Sequence, residues 1–162
     1  MLRNEVCCFA GHRIIAKGEL LRLKKRLSNT IESLIHQGVL SFACGGAIGF
    51  DMLAGYTVLH FKEKYPALKL IMILPCRNQS EKWSQKDKSD YIQLLADSDN
   101  VIYTSEHFFD GCMKQRNIRL LEGSSYCIAY LKNGRSGTGQ TVRMANDKGI
   151  TVFNLAIADN PT

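Results

Sequence analysis

The sequence predicts an α/β fold, a doubly wound and mostly parallel Rossmann-like sheet of about six strands with helices on both faces. Three observations support this. Short apolar runs alternate with amphipathic stretches along the 162 residues. The apolar runs are uninterrupted, as expected for strands that are covered on both faces. Glycine-rich turns follow two of these runs, and regular alternation of this kind produces parallel βαβ units.

Each predicted strand is a run of apolar residues that ends at a turn residue. The first run, Val6-Cys7-Cys8-Phe9-Ala10, ends at Gly11, and the third is terminated by Pro75. The six strands are predicted over residues 6–10, 39–43, 68–74, 100–104, 125–131 and 150–155.

The stretches between the strands repeat apolar residues at helical spacing. In the first of them, Leu20, Leu27, Ile31 and Leu34 lie on one face, and Gly38 ends the helix. The helices are predicted over residues 17–37, 49–64, 84–96, 112–122 and 141–148. Because no repeat or linker interrupts this order, we expect one domain over residues 1–162.

Composition and charge exclude several classes of protein. Hydrophobic residues make up 45% of the chain and charged residues 22%, which is ordinary for a globular protein. No apolar run of about 18 residues is present, so we expect no membrane span. Residues 1–5 lack a signal-peptide layout, so we expect a cytoplasmic protein. Much of the net charge of +6 lies on helix faces, which leaves nucleic acid as a less favoured partner.

The cysteines and histidines give no sign of a metal site. The six cysteines fall inside predicted strands or at element ends, and none has C-x-x-C spacing with another. The four histidines are not clustered. We therefore expect reduced thiols, no metal and no bound cofactor.

The stretch Cys44-Gly45-Gly46-Ala47-Ile48-Gly49-Phe50-Asp51 joins the second strand to the second helix. A strand end, a glycine turn and a helix N-terminus in this order are typical of an anion site. The glycines let the backbone approach a ligand, and the first helical N–H groups are free to bind it. Asp51 lies in the first helical turn, where it either caps the helix or accepts a hydrogen bond from a sugar hydroxyl.

Gly11-His12-Arg13 follows the first strand. Arg13 is suited to a bidentate grip on a phosphate or a carboxylate. His12 either donates to a phosphate, acts as a base, or caps a helix beside a loop salt bridge. His12 and Asp51 are therefore the candidate catalytic residues.

A second glycine-rich turn, Gly134-Arg135-Ser136-Gly137-Thr138, leads into the last predicted helix. It offers backbone N–H groups and the hydroxyls of Ser136 and Thr138 to a phosphate. It is not a Walker loop, because no Gly-Lys-Ser/Thr follows at the required spacing. Each glycine turn alone is also compatible with a tight structural turn, but two turns that end adjacent parallel units favour a phosphate site.

The remaining unusual segments also follow predicted strands, where ligands bind in sheets of this type. Arg77 follows the third strand, and Arg116-Asn117 lies in the fourth helix. Trp83, the sole tryptophan, either packs in the fold or stacks on a base. Phe108-Phe109 is part of the core or an oligomer contact, and we expect a homo-oligomer, dimer or higher.

Together these blocks resemble the SLOG superfamily of Rossmann-like proteins, and most closely its YpsA-like branch of small bacterial proteins. The matching blocks span residues 8–13, 43–51, 111–117 and 134–138. The resemblance covers nearly the whole chain. It implies a crevice that binds nucleotides or nucleotide-derived ligands.

Two better-understood relatives in this superfamily imply different activities. The Lonely Guy phosphoribohydrolases cut the N-glycosidic bond of nucleoside monophosphates, and the glutamate of their P-G-G-x-G-T-x-x-E signature is catalytic. Gly134, Gly137 and Thr138 match that signature, but Thr141 replaces the glutamate. That activity would need a substitute from Asp51, Glu106 or Asp110.

The DNA-processing protein A family is similar in two blocks. Its S-G-x-A-x-G-x-D block resembles residues 44–51, and its R-N-R block resembles Arg116-Asn117-Ile118, where isoleucine replaces the second arginine. The extra domains of those DNA binders do not fit in 162 residues. Single-strand binding would also need a basic groove with aromatic platforms.

The leading hypothesis is a protein that binds a small-molecule nucleotide derivative and acts as a sensor or regulatory module. An enzyme that hydrolyses an N-glycosidic or phosphate bond is the alternative, and single-stranded nucleic-acid binding is the third. The predicted ligand-binding residues are Gly11, His12, Arg13, Cys44, Gly45, Gly46, Ala47, Gly49, Asp51, Arg77, Arg116, Asn117, Gly134, Ser136, Gly137 and Thr138.

Overall fold

A computed structural model describes residues 5–156 as strands and helices in strict alternation. Residues 1–4, on which most of the signal-peptide expectation rests, lie outside the described residues, as do residues 157–162. The strands are β1 (Val6–Gly11), β2 (Ser41–Cys44), β3 (Lys69–Leu74), β4 (Asn100–Tyr103), β5 (Tyr126–Tyr130) and β6 (Thr151–Asn154). The helices are α1 (Leu20–His36), α2 (Phe50–Lys64), α3 (Gln85–Asp97), α4 (Cys112–Glu122) and α5 (Gly137–Asp147).

The predicted fold class is confirmed. The six strands form one parallel sheet in the order β4-β3-β2-β1-β5-β6. From β1 the chain moves outward through β2, β3 and β4, and then crosses to the other side of β1 for β5 and β6. The strand order therefore reverses between β1 and β5, which is where open α/β sheets bind ligands.

The strand order corrects one expectation about the two glycine-rich turns. They follow β2 and β5, which are not adjacent, because β1 lies between these strands and pairs with both. Cys8 of β1 is in register with Ala43 on one side and with Cys127 on the other. A ligand that contacts both turns must therefore pass over the carboxyl end of β1.

The core is unequal on the two faces of the sheet. Side chains alternate along β1, so that Cys7 and Phe9 face one cluster and Cys8 and Ala10 face the other. The larger cluster has 22 buried residues and includes the apolar faces of α1, α2 and α3. The smaller one has 11 and includes those of α4 and α5. All six cysteines are buried and free.

Two helices begin at different residues from those predicted. Helix α1 begins at Leu20 rather than near residue 17, because Gly18 has a φ of +82° and interrupts a helical backbone. Helix α5 begins at Gly137 rather than near residue 141. The Ser136 hydroxyl accepts a hydrogen bond from the Gly139 N–H at 3.0 Å, and this cap lets the helix start on two glycines.

Within residues 5–156, no helix has the length and apolar character needed to cross a membrane. The same residues contain no group of three or more His, Cys, Asp or Glu side chains arranged to hold a metal ion.

Candidate functional site

A cavity of about 280 Å³ lies at the carboxyl ends of β1 and β5, where the strand order reverses. Its walls come from the end of β1, the turn after β2, helix α4 and the first turns of α5. The lining residues are Phe9, Ala10, Gly11, His12, Arg13, Ala47, Asp51, Met113, Arg116, Asn117, Ser136, Gly137, Thr138 and Thr141.

Most of the predicted ligand-binding residues line this cavity, and four further residues join them. Phe9 and Ala10 are the last apolar positions of β1 before Gly11. Met113 and Thr141 lie one helical turn from Asn117 and Gly137, so they share a helix face with predicted residues. Helical periodicity was the signal by which the sequence could have revealed these two.

Two glycines of the first turn do not line the cavity, because the space beside them is filled by the protein. Gly46 has a φ of +69°, and a Cβ there would lie 2.9 Å from a methyl group of Leu74 in the core. Gly49 has a φ of +83°, and a Cβ there would lie 2.1 Å from the carbonyl oxygen of Arg13. These glycines permit close packing of the turn, and their predicted contact with a ligand stays a prediction.

Gly45 also does not line the cavity, because the Arg116 side chain occupies the space beside it. Arg116 is 5% exposed, and its Nη1 donates to the Gly45 carbonyl oxygen at 2.5 Å. Its Nε donates to Asn117 Oδ1 at 2.8 Å. Its hydrogen bonds within the described chain thus go to neutral groups. The guanidinium brings a buried positive charge to the cavity wall, where it favours an anion.

Asp51 is 6% exposed, and only one of its two carboxylate oxygens has a hydrogen-bond partner in the described structure. Oδ2 accepts from the backbone N–H of Ala47 at 3.2 Å, whereas Oδ1 is buried with no partner in the described structure. Burial raises the pKa of this carboxyl to about 6, against the opposing effect of the positive charges of Arg116 and Arg13. Oδ2 of Asp51 thus stabilises the turn before α2, and Oδ1 remains without a protein partner.

His12 connects the end of β1 to the turn after β5. Its Nε2 accepts hydrogen bonds from the backbone N–H groups of Lys132 at 2.9 Å and Asn133 at 3.2 Å. Partial burial lowers the pKa of the imidazole, which favours the neutral form that can accept these bonds. Because Nε2 is already used by the protein, the geometry favours a positioning role for His12 over that of a base.

Arg13 is the exposed cation at the mouth of the cavity. Its side chain makes no hydrogen bond or ion pair with the residues that the structure describes, although its charge acts on Asp51. The backbone beside it is fixed: the Phe50 N–H donates to the His12 carbonyl at 3.2 Å. A Cβ at Gly11 would lie 2.3 Å from the Phe50 ring, so glycine is needed for this approach.

The N-terminus of α5 supplies the donors of the cavity. Ser136 is the N-cap, and its hydroxyl donates to the Asn133 carbonyl at 2.5 Å while accepting from Gly139. The backbone N–H groups of Gly137 and Thr138 have no acceptor in the described part of the chain. An anion at this helix end would therefore meet free donors and the positive end of the helix dipole.

Thr141 lies in the same cavity and is 2% exposed. Its hydroxyl donates to the carbonyl oxygen of Gly137 at 3.0 Å, so the side chain is turned to its own helix. The position that holds glutamate in the phosphoribohydrolase signature thus provides no carboxylate here.

Three more predicted residues lie outside the cavity lining. Arg77 forms an exposed ion pair with Glu106, Nε to Oε2 at 2.8 Å, and its guanidinium lies 4.3 Å from the centre of the Tyr103 ring. Cys44 is fully buried, and its Sγ donates to the Asp51 carbonyl at 3.1 Å. The carbonyl oxygen of Gly134 accepts from Arg143 Nη1 at 2.6 Å, on the outer side of α5. The structure therefore places these three predicted residues away from the cavity, each with its own protein partner.

Fold and site together define a Rossmann-like α/β domain with its candidate site at the switch point of a parallel sheet. The sequence model of the YspA SLOG family matches residues 15–149. Because this match covers most of the chain, the protein belongs to the YspA SLOG family. The YpsA-like resemblance seen in the sequence is thereby confirmed.

Related bacterial sequences agree with this membership. The chain is 30% identical over 139 residues to the SPbeta prophage-derived protein YoqJ of Bacillus subtilis, a match that covers 78% of this chain and 81% of YoqJ. It is 32% identical over 147 residues to a UPF0398 protein of Bacillus velezensis, which covers 86% of this chain and 81% of the relative.

Solved structures show the same fold in proteins of low sequence identity. DNA processing protein A from Helicobacter pylori, whose structure addresses its single-stranded DNA binding mode, aligns with a TM-score of 0.68 at 20% identity. That match covers 98% of this chain and 68% of the other. DNA processing protein A from Streptococcus pneumoniae also has a TM-score of 0.68, at 19% identity, and covers 93% and 50% of the two chains.

Proposed function

We propose that the cavity binds a nucleotide or a nucleotide-derived ligand, and that the protein acts as a sensor or regulatory module. The free N–H groups of Gly137 and Thr138 and the guanidinium of Arg13 hold a phosphate. Asp51 Oδ1 accepts a hydrogen bond from a ribose hydroxyl. One observation supports this above all others: an unpaired, buried carboxylate oxygen lines the same cavity as a free helix N-terminus.

The ligand must satisfy donors and an acceptor at the same time. Inorganic phosphate fits the donors of α5 but has little to offer Asp51, and its charge is repelled by that carboxylate. A sugar phosphate carries both an anion and hydroxyl donors within a few bonds. It can therefore satisfy the helix N–H groups and Asp51 together, which favours a ribose phosphate over a simple anion.

The proposal is tested by isothermal titration calorimetry with AMP, ADP, ADP-ribose, ribose 5-phosphate and inorganic phosphate. We expect Asp51→Asn to weaken the binding of the ribose phosphates by about 10-fold or more, because a hydrogen bond to a charged group contributes roughly 1.5–3 kcal/mol. Binding of inorganic phosphate should not weaken. Asp110→Asn, an exposed residue outside the cavity, is the matched control. Absence of binding by every ribose phosphate at millimolar concentration would contradict the proposal.

A second candidate function is hydrolysis of the N-glycosidic bond of a nucleotide, and the state of Asp51 favours it. A carboxyl whose burial raises its pKa to about 6 is suited to proton transfer near neutral pH. Asp51 is also the sole carboxylate among the lining residues, since Glu106 pairs with Arg77 and Asp110 lies outside.

The enzymatic candidate predicts release of free base from nucleoside monophosphates. The rate should change with an apparent pKa near 6 and be lost in Asp51→Asn. A broad panel of nucleotides that yields no free base would exclude this activity while leaving ligand binding intact.

Single-stranded DNA is the competing ligand that the DNA processing protein A likeness suggests. Binding to its phosphates would fall steeply with salt, unlike binding of a mononucleotide in a cavity. We expect an oligonucleotide not to displace AMP at physiological salt. Displacement that disappears as salt rises would favour nucleic acid instead.

A further inference from the structure

A second groove of about 570 Å³ continues from the cavity toward the loop between β3 and α3. Arg13 and Met113 line both, so the two spaces share a boundary. Gln79, Trp83 and Phe108 also line the groove. Together the two volumes fall within the roughly 300–1,000 Å³ typical of small-molecule sites.

Gln79 lines this groove and carries an unpaired acceptor. Its Nε2 donates to the Tyr91 hydroxyl at 3.1 Å, and its Oε1 is buried without a hydrogen-bond partner. Tyr91 is itself buried, so the carboxamide is held in place from behind. Among the described residues, Asp51 Oδ1 and Gln79 Oε1 are the buried side-chain polar atoms that lack a partner, and one lines each half of the crevice.

Two aromatic side chains line the same groove as Gln79. Trp83 packs edge-on against Tyr91 with ring centres 5.0 Å apart, which fixes the indole while leaving it partly exposed to the groove. Phe108 is 59% exposed, an unusual state for a large apolar ring. Aromatic faces around one acceptor suit a flat heteroaromatic ring that carries an N–H donor.

We propose that this groove is the base-binding half of the site and selects a nucleobase with an exocyclic amino group, as adenine has. The base lies against Trp83 and Phe108, and its amino group donates to Gln79 Oε1. This inference rests on the proposed function, because the base reaches the groove only if the phosphate and ribose occupy the cavity. Arg13, at the boundary, lies between the two halves.

The full chain is titrated with AMP, IMP and ribose 5-phosphate by calorimetry and by fluorescence of the single tryptophan. AMP and IMP differ at the position that donates in adenine and accepts in hypoxanthine. We expect AMP to bind about 10-fold or more tightly than either IMP or ribose 5-phosphate. AMP should quench the fluorescence of Trp83, whereas ribose 5-phosphate should bind without quenching it.

Two matched pairs of variants separate the base from the phosphate. Gln79→Leu should abolish the preference for AMP over IMP, and Gln93→Leu, on the exposed face of α3, should preserve it. Phe108→Ala should weaken the binding of AMP by about 10-fold and leave the binding of ribose 5-phosphate unchanged. Phe109→Ala, the exposed neighbour that does not line the groove, should change neither. Because both phenylalanines are exposed, these variants are expected to fold.

The outcomes also distinguish this inference from the proposed function. If ribose 5-phosphate binds as tightly as AMP and the tryptophan is not quenched, the base subsite is wrong while the phosphate cavity stands. If IMP binds more tightly than AMP, the assignment of Gln79 Oε1 as the selecting acceptor is wrong. If none of the three ligands binds, both proposals fail together.

Discussion

The two glycine-rich turns look alike in sequence but differ in what occupies the space beside them. In the turn after β2, Gly45 lies against the Arg116 guanidinium and Gly49 against the backbone of Arg13. In the turn after β5, a Cβ on Gly137 would meet nothing within 4 Å, and the N–H groups at the start of α5 are free. A glycine makes room either for another part of the protein or for a ligand, and only the second kind marks a binding site.

The largest effect expected from this difference is on stability at Gly49. Gly49→Ala should lower the free energy of unfolding by about 3 kcal/mol or more, because alanine is strained at a φ of +83° and its Cβ would lie 2.1 Å from the Arg13 carbonyl. Urea denaturation of the two proteins measures this loss. A loss below about 1 kcal/mol would contradict the tight contact between the two loops.

The same substitution in the second turn is the matched control. Gly137→Ala should change the free energy of unfolding by less than about 1 kcal/mol and in the stabilising direction, because alanine favours a helix. Its methyl group should weaken ribose 5-phosphate binding, since Gly137 lines the cavity. Equal stability losses in both variants would show that the turns do not differ as described.

A change of similar size in the free energy of unfolding, but a stabilising one, is expected for Asp51→Asn. Its pKa in the folded state is about 6, above the ordinary 3.8, so the folded state holds the proton more tightly than the unfolded state does. Stability therefore falls as pH rises from about 4 to 6, with a total loss of roughly 3 kcal/mol. Asp51→Asn should remove this loss and raise the free energy of unfolding at pH 7.5.

Denaturation curves at pH 4.5 and pH 7.5 measure this prediction. At pH 4.5 the stabilising effect of Asp51→Asn should fall to about a third of its value at pH 7.5, because the carboxyl is then protonated in the folded state but still mostly ionised in the unfolded state. A variant that is less stable than the wild type at pH 7.5 would mean that attraction to Arg116 outweighs the cost of burial. A stabilised variant with weakened ligand binding is the pattern expected when a buried polar group is kept for function.

The smallest effect is expected at the two serine N-caps. Ser136→Ala should lower the free energy of unfolding by about 1 kcal/mol and also weaken ribose 5-phosphate, because the cap positions the free N–H groups of α5. Ser84→Ala removes the cap of α3, where the hydroxyl accepts from the Asp87 N–H at 3.1 Å, and should cost similar stability without changing binding. If both variants bind the ligand equally well, α5 does not hold the phosphate.

The order of strands and helices could be predicted because each element leaves a local pattern in the sequence. The run Val6-Cys7-Cys8-Phe9-Ala10 is apolar because both faces of β1 are covered, and such runs are readable without tertiary information. The position of β1 between β2 and β5 could not be read in this way. It depends on which helices cover which face, a property of the whole chain.

The cavity lining could be predicted where it comes from the loops after strands. It was harder to predict where it comes from long side chains, whose direction the sequence does not reveal. Arg77 and Arg116 carry the same charge; Arg77 lies in the loop after β3, and Arg116 lies in α4. Arg77 has a carboxylate partner at the surface, whereas Arg116 is buried at the cavity wall. Gln79 could not be identified from the sequence, because an unpaired buried oxygen has no sequence signature.

The unequal core has a consequence for motion. The face with α4 and α5 is held by about half as many buried residues as the opposite face, so we expect local opening to begin there and its amides to exchange with solvent first. These are also the helices that carry Asn117, Gly137 and Thr138 to the cavity. A ligand bound in the cavity should therefore slow hydrogen exchange across α4 and α5. Such a change in local stability would alter these two helices as a binding surface without any movement of the sheet.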